Sequence, residues 1–274
     1  KGNLGLTVIQ AIILGVVQGF TEFLPVSSSG HLVLAQKLLN VQSDNNLTFD
    51  VFVHFGTLLS VFVYFWKDII EIFKSILNSF KTRDFKEAYS RSEHFRIGVS
   101  IFVASIPAGV IGLSFRDIIK DTFTDPKLVS VCLVVTGLIL FLTRLARPNP
   151  DKRIGVVAAL VIGVAQAVAI LPGISRSGST ISTGMYLKLS SVRAAQFSFL
   201  LSIPVIAGAS LLETKNLISE GVDIGAAPLI VGTLVSAVTG YISIKAMLKI
   251  LQRGKLSWFA FYCLVVGVLG IIFI

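Results

Sequence analysis

Two polar segments interrupt an otherwise apolar chain, and they hold most of the residue types that could do chemistry. The first carries Glu22, three serines at 27–29 and His31, and the second carries Arg176 in the run Gly173-Ile-Ser-Arg-Ser-Gly-Ser-Thr180. Carboxylate, hydroxyl and imidazole are the parts of an activated nucleophile or an acid–base pair. A guanidinium flanked by hydroxyls matches a phosphate. Together the two segments predict phosphoryl chemistry.

Glu22 lies four residues after Gln18, so both side chains share one face of a helix. A carboxylate at membrane depth is costly and by default indicates a functional site. Glu22 could bind a divalent cation, orient a histidine or act as a base. The structural alternative is a carboxylate paired permanently with Arg176 or with backbone amides.

Ser27, Ser28 and Ser29 precede a short predicted helix. They could cap that helix, or bind an anion together with the free N–H groups at its N-terminus. One hydroxyl could also be a nucleophile if a base is near. The serine run by itself does not separate these roles.

The three histidines have different surroundings in the sequence. His31 falls in the same segment as Glu22 and the serines, which predicts a chemical role. His54 follows an apolar face near the start of a predicted span, which predicts packing. His94 falls in a predicted cytoplasmic loop.

Arg176 is a cation inside an apolar region and therefore needs an anionic partner. Ser175, Ser177 and Thr180 add hydroxyl donors around it, and a helix N-terminus is predicted behind them. This set favours a phosphate clamp. The structural alternative is a permanent ion pair with Glu22.

The two segments are copies of one motif, in which a Gly-Val-x-Gln helix runs through Leu-Pro into Ser-x-Ser-Gly. At one constant offset, Gly15, Gln18, Ser27, Ser29 and Gly30 recur as Gly163, Gln166, Ser175, Ser177 and Gly178. The copies differ where the chemistry is expected, since Glu22 corresponds to Ala169 or Ile170 and His31 to Ser179.

Composition places the chain in a membrane. It is 54% hydrophobic and only 14% charged, with a mean hydropathy of +0.83, whereas soluble domains carry about 25% charged residues. The net charge of +9 indicates membrane topology and anionic lipid headgroups rather than nucleic acid. Cys132 and Cys263 both lie in apolar spans, so no disulfide is expected. The first apolar stretch leads directly into the first motif, so no cleavable signal peptide is expected.

The elements that must position these residues are helices, because long apolar runs satisfy their backbone groups in a membrane only as helices. Residues 4–40 and 154–190 each have a second arm too short to cross a bilayer, which predicts two re-entrant hairpins. Six spans are predicted, at 49–66, 96–115, 127–145, 194–212, 227–248 and 257–274. The predicted fold is an all-α polytopic membrane protein in a single membrane domain, with inverted repeats over 1–146 and 147–274.

The distribution of Lys and Arg along the sequence predicts which side of the protein faces the cytoplasm. The segments 67–95, 144–153, 188–193 and 245–255, together with Arg96 next to the first of them, hold 17 of the 24 Lys and Arg residues. Their side is therefore predicted to be cytoplasmic. The first hairpin then enters from the outer side and the second from the cytoplasm. The segment 67–95 carries mixed charges and is predicted to be a solvated amphipathic connector.

At these motifs the sequence resembles the undecaprenyl-diphosphate phosphatase family, known also for bacitracin resistance. The family's first motif is matched by Gln18 and Glu22 with the segment Pro25 to His31. Its Pro-Gly-x-Ser-Arg-Ser-x-x-Thr motif is matched by Pro172 to Thr180. The resemblance covers the whole length and includes the spacing of the two motifs.

The resemblance implies a membrane enzyme that removes the terminal phosphate of undecaprenyl diphosphate, with a divalent cation (Mg²⁺ or Ca²⁺) and a site open to the outer side of the plasma membrane. The polyprenyl diphosphate and membrane lipids are the implied partners, and a homodimer is left open. Glu22, Ser27, His31 and Arg176 are the implied catalytic set, and Gln18 with Glu22 the implied metal ligands. The implied substrate contacts are Ser28, Ser29, Gly173, Ser175, Ser177 and Thr180.

Two positions depart from many relatives. Position 18 is Gln rather than Glu, which leaves a metal one anionic ligand fewer. Cys263 stands where many relatives have an arginine that would help to bind the diphosphate. Two alternatives follow: another cation, such as Arg116, substitutes for it, or the second phosphate is held more loosely. Whether a hydroxyl, a water molecule or His31 attacks the phosphate is left open by the sequence.

Two other functions share some of these sequence features. Broken helices in inverted repeats also occur in transporters, so a polyprenyl-phosphate flippase is the alternative, although pure transport has little need for both Glu22 and His31. A second lipid phosphatase superfamily also contains Ser-Gly-His. Its distal Ser-Arg-x₅-His pattern is missing after Arg176.

Overall fold

The computed structural model describes residues 6–41, 46–115, 122, 125–220, 225–254 and 256–273, and at 46–47 and 212–220 the backbone alone. Within these ranges the chain forms helices and no strands. The helices are α1 (Val8–Phe23), α2 (Ser28–Leu38), α3 (Asn46–Tyr64), α4 (Trp66–Thr82), α5 (Phe85–Arg91), α6 (Glu93–Ser114), α7 (Pro126–Leu142), α8 (Val156–Val168), α9 (Arg176–Tyr186), α10 (Ser191–Glu220), α11 (Ala226–Gln252) and α12 (Ser257–Phe273).

Several of these helices are long and apolar enough to cross a membrane. Four qualify on length and composition, namely Glu93–Ser114, Pro126–Leu145, Ser191–Leu211 and Ala226–Gln252. A fifth span is possible if α3 and α4, which meet at an angle of 76°, are taken together. The predicted all-helical polytopic membrane fold is confirmed. The count of six spans stays a prediction, because α3 bends into α4 and α12 has only 17 residues.

Both predicted hairpins contain a helix, a short break and a second helix of 11 residues. The first break follows α1 at Leu24-Pro25, and the second lies between Val168 and Arg176. Proline disfavours helix in the residue before it and cannot donate a helical hydrogen bond, so both copies interrupt the helix near Leu-Pro. The inverted relation between the two halves stays a prediction.

Small residues let the helices approach one another closely. A Cβ added at Gly15 would lie 2.8 Å from the carbonyl oxygen of Gly232, so α1 packs directly on α11. In the same way, a Cβ at Gly163 of α8 would lie 2.8 Å from the Cα atom of Ala104 in α6. Contacts between small residues are typical of helix association in membranes, where van der Waals packing replaces the hydrophobic driving force.

The break of the first hairpin is anchored in the largest buried cluster. Phe23, at the end of α1, packs edge to face against Phe199 of α10, with ring centroids 5.3 Å apart, and Val26 belongs to the same cluster. Aromatic pairs of this geometry contribute about 0.5–1.5 kcal/mol beyond the area that they bury. This packing holds the polar turn at residues 24–28 against α10.

The connector between α3 and α6 is amphipathic, as predicted, and is helical as α4 and α5. It buries Ile72 and leaves Phe73, Leu77 and Phe80 exposed. An exposed apolar stripe beside charged residues is typical of a helix that lies in the membrane interface.

Candidate active site

The breaks of the two hairpins meet at a cavity of about 280 Å³, which α3 and α10 complete. The hairpin tips touch, since a Cβ at Gly30 would lie 3.1 Å from the Cα atom of Gly173. The polar residues that line the cavity are Glu22, Ser27, Ser28, Ser29, Asp50, His54, Arg176 and Ser210. The structure therefore brings the predicted carboxylate, serines and guanidinium together in one place.

Arg176 and Glu22 form an ion pair across the two hairpins, from Nη2 to Oε1. Both side chains are largely buried, and Arg176 also donates from Nη1 to the carbonyl oxygen of Ser198 at 3.2 Å. The other carboxylate oxygen, Oε2, accepts from Gln18 Nε2 at 3.0 Å and from Ser28 Oγ at 2.6 Å. Glu22 is thus satisfied by three donors, which is how a protein tolerates a buried carboxylate.

The serine turn places two neighbouring hydroxyls in different environments. Ser27 is the N-cap of α2, with φ of 68° and ψ of 94°, and its Oγ accepts from the N–H of Gly30 at 3.3 Å. A positive φ is unfavourable for serine, and such strained residues cluster at functional sites. Ser28 Oγ, not Ser27 Oγ, donates to the carboxylate of Glu22. The sequence offered no signal to separate the two.

The second break is built around Gly173, whose φ of +92° is a conformation that glycine adopts at little cost. Thr136 of α7 bridges this turn: its Oγ1 donates to the carbonyl oxygen of Gly173 and accepts from the N–H of Ser175, both at 2.9 Å. Ser175 Oγ then caps α9 by accepting from the N–H of Gly178. These bonds fix the start of α9 and with it the position of Arg176.

Four of the predicted phosphate contacts lie outside the cavity lining. Ser177 Oγ donates to the carbonyl oxygen of Leu24 at 3.0 Å and so ties the two hairpins together. Thr180 Oγ1 bonds to Ser198 Oγ at 2.6 Å. Together with Gly173 and Ser175, these residues support the site in this conformation, whereas Ser28 and Ser29 line it.

His31 lies on the far side of the first turn. Its Nδ1 donates to the carbonyl oxygen of Ser27 at 2.8 Å, and its Nε2 accepts from the hydroxyl of Tyr262 at 2.8 Å. Both ring nitrogens are therefore engaged away from the cavity lining. The acid–base role expected of His31 stays a prediction, and the observed bonds support the strained Ser27 turn.

The prediction that His54 is a packing residue is wrong. Its Nε2 lies 3.8 Å from Oε2 of Glu22, and it lines the cavity beside Asp50. The ring is oriented by Nδ1, which bonds to the carbonyl oxygen of Asp50 at 2.6 Å, while Gln36 donates to the Asp50 carboxylate at 2.8 Å. A signal was present, because Asp50 and His54 repeat the four-residue spacing of Gln18 and Glu22 inside an apolar span.

Cys263 packs against the first break, where its Sγ lies 3.7 Å from the carbonyl oxygen of Pro25. The position at which many relatives carry an arginine is thus close to the serine turn. Arg116, the alternative cation, lies outside the described residues.

The site offers few protein ligands for a divalent cation. Among the described residues, no group of three or more His, Cys, Asp or Glu side chains is placed to hold one. Oxygen donors are nevertheless present, since Gln18 Oε1 is buried without a hydrogen-bond partner beside Glu22, and Asp50 lines the same cavity. Mg²⁺ commonly uses one or two carboxylates together with substrate phosphates. The donors fit a cation shared with a phosphate, not a closed protein cage.

Comparison with known proteins agrees with this geometry. Residues 11–269 match the family described as Bacitracin resistance protein BacA. The chain belongs to the BacA family. The match begins within α1 and includes both hairpin breaks and every residue that lines the cavity between them. The family resemblance predicted from the two motifs is confirmed.

Relatives of this BacA-family chain are similar over nearly their whole length. The chain is 42% identical to a protein from Salinibacter ruber over 264 residues, which is 96% of this chain and 97% of the relative. It is 42% identical to one from Halothermothrix orenii over 270 residues, 97% and 98% of the two chains. A relative from Methanosphaera stadtmanae is 40% identical over 274 residues, again 97% and 98%. All three are named undecaprenyl-diphosphatase.

Proposed function

We propose that this chain is an undecaprenyl-diphosphate phosphatase, which releases the terminal phosphate of the lipid diphosphate and so recycles the lipid carrier of cell-wall synthesis. Membership of the BacA family and the names of the relatives support this function. The observation that carries it is local: Arg176 from one hairpin meets Glu22 from the other, and the Ser28 hydroxyl lies 2.6 Å from that carboxylate.

Substrate binding changes the anion that is paired with Arg176. A phosphate is a good bidentate partner for a guanidinium, so the diphosphate replaces Glu22 on Arg176. The N-termini of α2 and α9 both start at the cavity, with Ser28 and Arg176 as their first residues. Their free N–H groups add to the attraction for the phosphates.

The exchange frees Glu22 to act as a base. Ser28 Oγ already donates to Glu22, so the carboxylate can accept its proton as the oxygen attacks the terminal phosphorus. The new Oγ–P bond forms while the bridging P–O bond breaks, and undecaprenyl phosphate leaves with the electron pair. Water then cleaves the phosphoserine to inorganic phosphate. This hydroxyl–carboxylate pair favours hydrolysis over simple transport.

We include a divalent cation in the proposal, with Glu22 and Gln18 as the residues that would hold it. When bound, the cation would neutralise charge on the phosphate oxygens. His54 lies beside Glu22 and would help to orient that carboxylate. The strained turn at Ser27, which His31 supports, would orient the serine hydroxyls toward the same site.

We also propose that the protein resides in the plasma membrane and that its site opens to the outer side. The excess of Lys and Arg in the segments between α3 and α6, α7 and α8, and α11 and α12 supports this orientation, because positive loops stay in the cytoplasm. A homodimer belongs to the same proposal, and light scattering on the detergent-purified protein tests it.

The decisive experiment measures phosphate release from undecaprenyl diphosphate by the purified protein and by Glu22→Gln and Arg176→Ala. We expect both variants to lose nearly all activity. Matched controls are Glu71→Gln and Arg91→Ala, which alter exposed ion pairs on α4 and α5. Normal turnover in both site variants, or lipid flux in liposomes without phosphate release, would overturn the proposal.

A further inference from the structure

A second cavity, of about 600 Å³, lies between α6 and α8 and next to the break after α8. All its lining residues are apolar, and several of them face outward from the protein; Val110 and Val164 are 57% and 52% exposed. In a membrane protein such a groove opens toward lipid. We call it the α6–α8 groove.

The groove forms beyond the point where α6 and α8 are in contact. They are in van der Waals contact where Gly163 meets Ala104. Pro107 follows inside α6 and lines the groove. A proline in a helix interior removes one backbone hydrogen bond and favours a bend.

The groove and the polar cavity share a wall. Ile170, in the break between α8 and α9, lines both of them, and its Cδ1 would lie 3.7 Å from a Cβ placed on Gly112 of α6. Arg176, the phosphate ligand of the proposed function, begins the helix that follows this break. The apolar groove therefore lies directly beside the phosphate site, with Ile170 between the two cavities.

We propose that the α6–α8 groove binds the isoprenoid units of the substrate that lie nearest to the diphosphate. This inference rests on the proposed function, because it assigns the tail of the same substrate. Lipid chains are as apolar as the tail, so transfer from the bilayer contributes little. The groove acts by packing against the first units, and it thereby holds the terminal phosphate in line with Ser28.

The test compares two diphosphates that differ only in their tail: dimethylallyl diphosphate, with a single isoprenoid unit, and farnesyl diphosphate, with a longer chain. Val164→Trp fills the groove from an exposed position. Val157→Trp is the matched control, since Val157 lies on the same helix, is exposed and does not line the groove. In Val164→Trp we expect kcat/KM for the farnesyl substrate to fall about tenfold or more, while kcat/KM for the dimethylallyl substrate, which has only one unit to pack in the groove, falls much less. The control should leave both values unchanged.

The outcomes separate this inference from the proposed function. Failure of the unmodified protein to hydrolyse either diphosphate would overturn the proposed function. Hydrolysis of both, with Val164→Trp equal to Val157→Trp or lowering both substrates in parallel, would overturn the groove alone.

A photoreactive benzophenone attached to the farnesyl chain gives an independent readout. Labelling of peptides within 107–115 or 164–171 supports the proposal. Labelling of Val51 or of Val205 to Ala209, which border the polar cavity on α3 and α10, would place the tail elsewhere and overturn it, as would labelling across two copies of the chain.

Discussion

Replacing Ser28 by alanine separates the chemical role of the serine turn from its structural role. The Ser28 hydroxyl bonds to the Glu22 carboxylate, whereas the neighbouring Ser27 hydroxyl caps α2 through the N–H of Gly30. The family resemblance implied that Ser27 is the catalytic hydroxyl. The geometry instead predicts that Ser28→Ala removes the nucleophile and Ser27→Ala removes a cap.

Ser28→Ala and Ser27→Ala should differ far more in their effect on turnover than in their effect on stability. Loss of an activated nucleophile lowers turnover by roughly 10⁴-fold or more. Ser28→Ala also removes one hydrogen bond to a charged acceptor, which costs about 1.5 kcal/mol at the low end of the usual range, because Glu22 keeps Gln18 and Arg176 as donors. Ser27→Ala costs about 1 kcal/mol as a lost N-cap. Similar losses of stability should therefore accompany very different losses of activity.

Turnover is measured as phosphate release from farnesyl diphosphate in detergent, and thermal unfolding is followed on the same samples. An acid quench with substrate labelled in its terminal phosphate should trap a phosphoserine in the unmodified protein and none in Ser28→Ala. Ser27→Gly is a useful control, because glycine relieves the positive φ at this position. Near-normal turnover in Ser28→Ala with an inactive Ser27→Ala would refute the assignment, and absence of a trapped phosphoenzyme would point to direct attack by water.

Three further predictions concern the clamp, the packing and the cation. Arg176→Lys keeps the charge but loses the planar fork, so kcat/KM should fall by about 10- to 100-fold, equivalent to about 1.5–3 kcal/mol; an unchanged value would mean that the guanidinium holds no phosphate. Gly163→Ala forces a methyl group against Ala104 and should lower the free energy of unfolding by about 1–3 kcal/mol. A Cβ at Gly109 would have no neighbour within 4 Å, so Gly109→Ala should not lower the free energy of unfolding. Equal thermal shifts in Gly163→Ala and Gly109→Ala would contradict the close packing at Gly163. Chelation with EDTA should abolish phosphate release and, when inorganic phosphate is present to share the cation, lower the melting temperature. Mg²⁺ or Ca²⁺ should restore both, but Glu22→Gln should show no such thermal shift. Full activity and unchanged melting in EDTA would remove the cation from the proposal.

Much of the helical framework could be predicted because its causes are local. Apolar runs bounded by charges predicted helices close to α6, α7 and α11, and the Leu-Pro steps predicted a break in each hairpin. Serines at the N-caps of α2 and α9 could be anticipated for the same reason, since a cap depends on residues within one turn. The pairing of Arg176 with Glu22 was anticipated as one alternative for both residues, from the cost of an isolated charge in a membrane.

The sequence by itself therefore determined which segments are helical, where they break and which charges must find partners. Tertiary structure decided what each polar side chain faces. His31 turns toward Tyr262, which is far away in the chain, and His54 of α3 instead lies beside Glu22. Ser28 rather than Ser27 reaches the carboxylate because the positive φ at Ser27 and the packing of Phe23 on Phe199 set the direction of the turn. Orientation depends on contacts between distant helices, and residue spacing along one helix does not encode it.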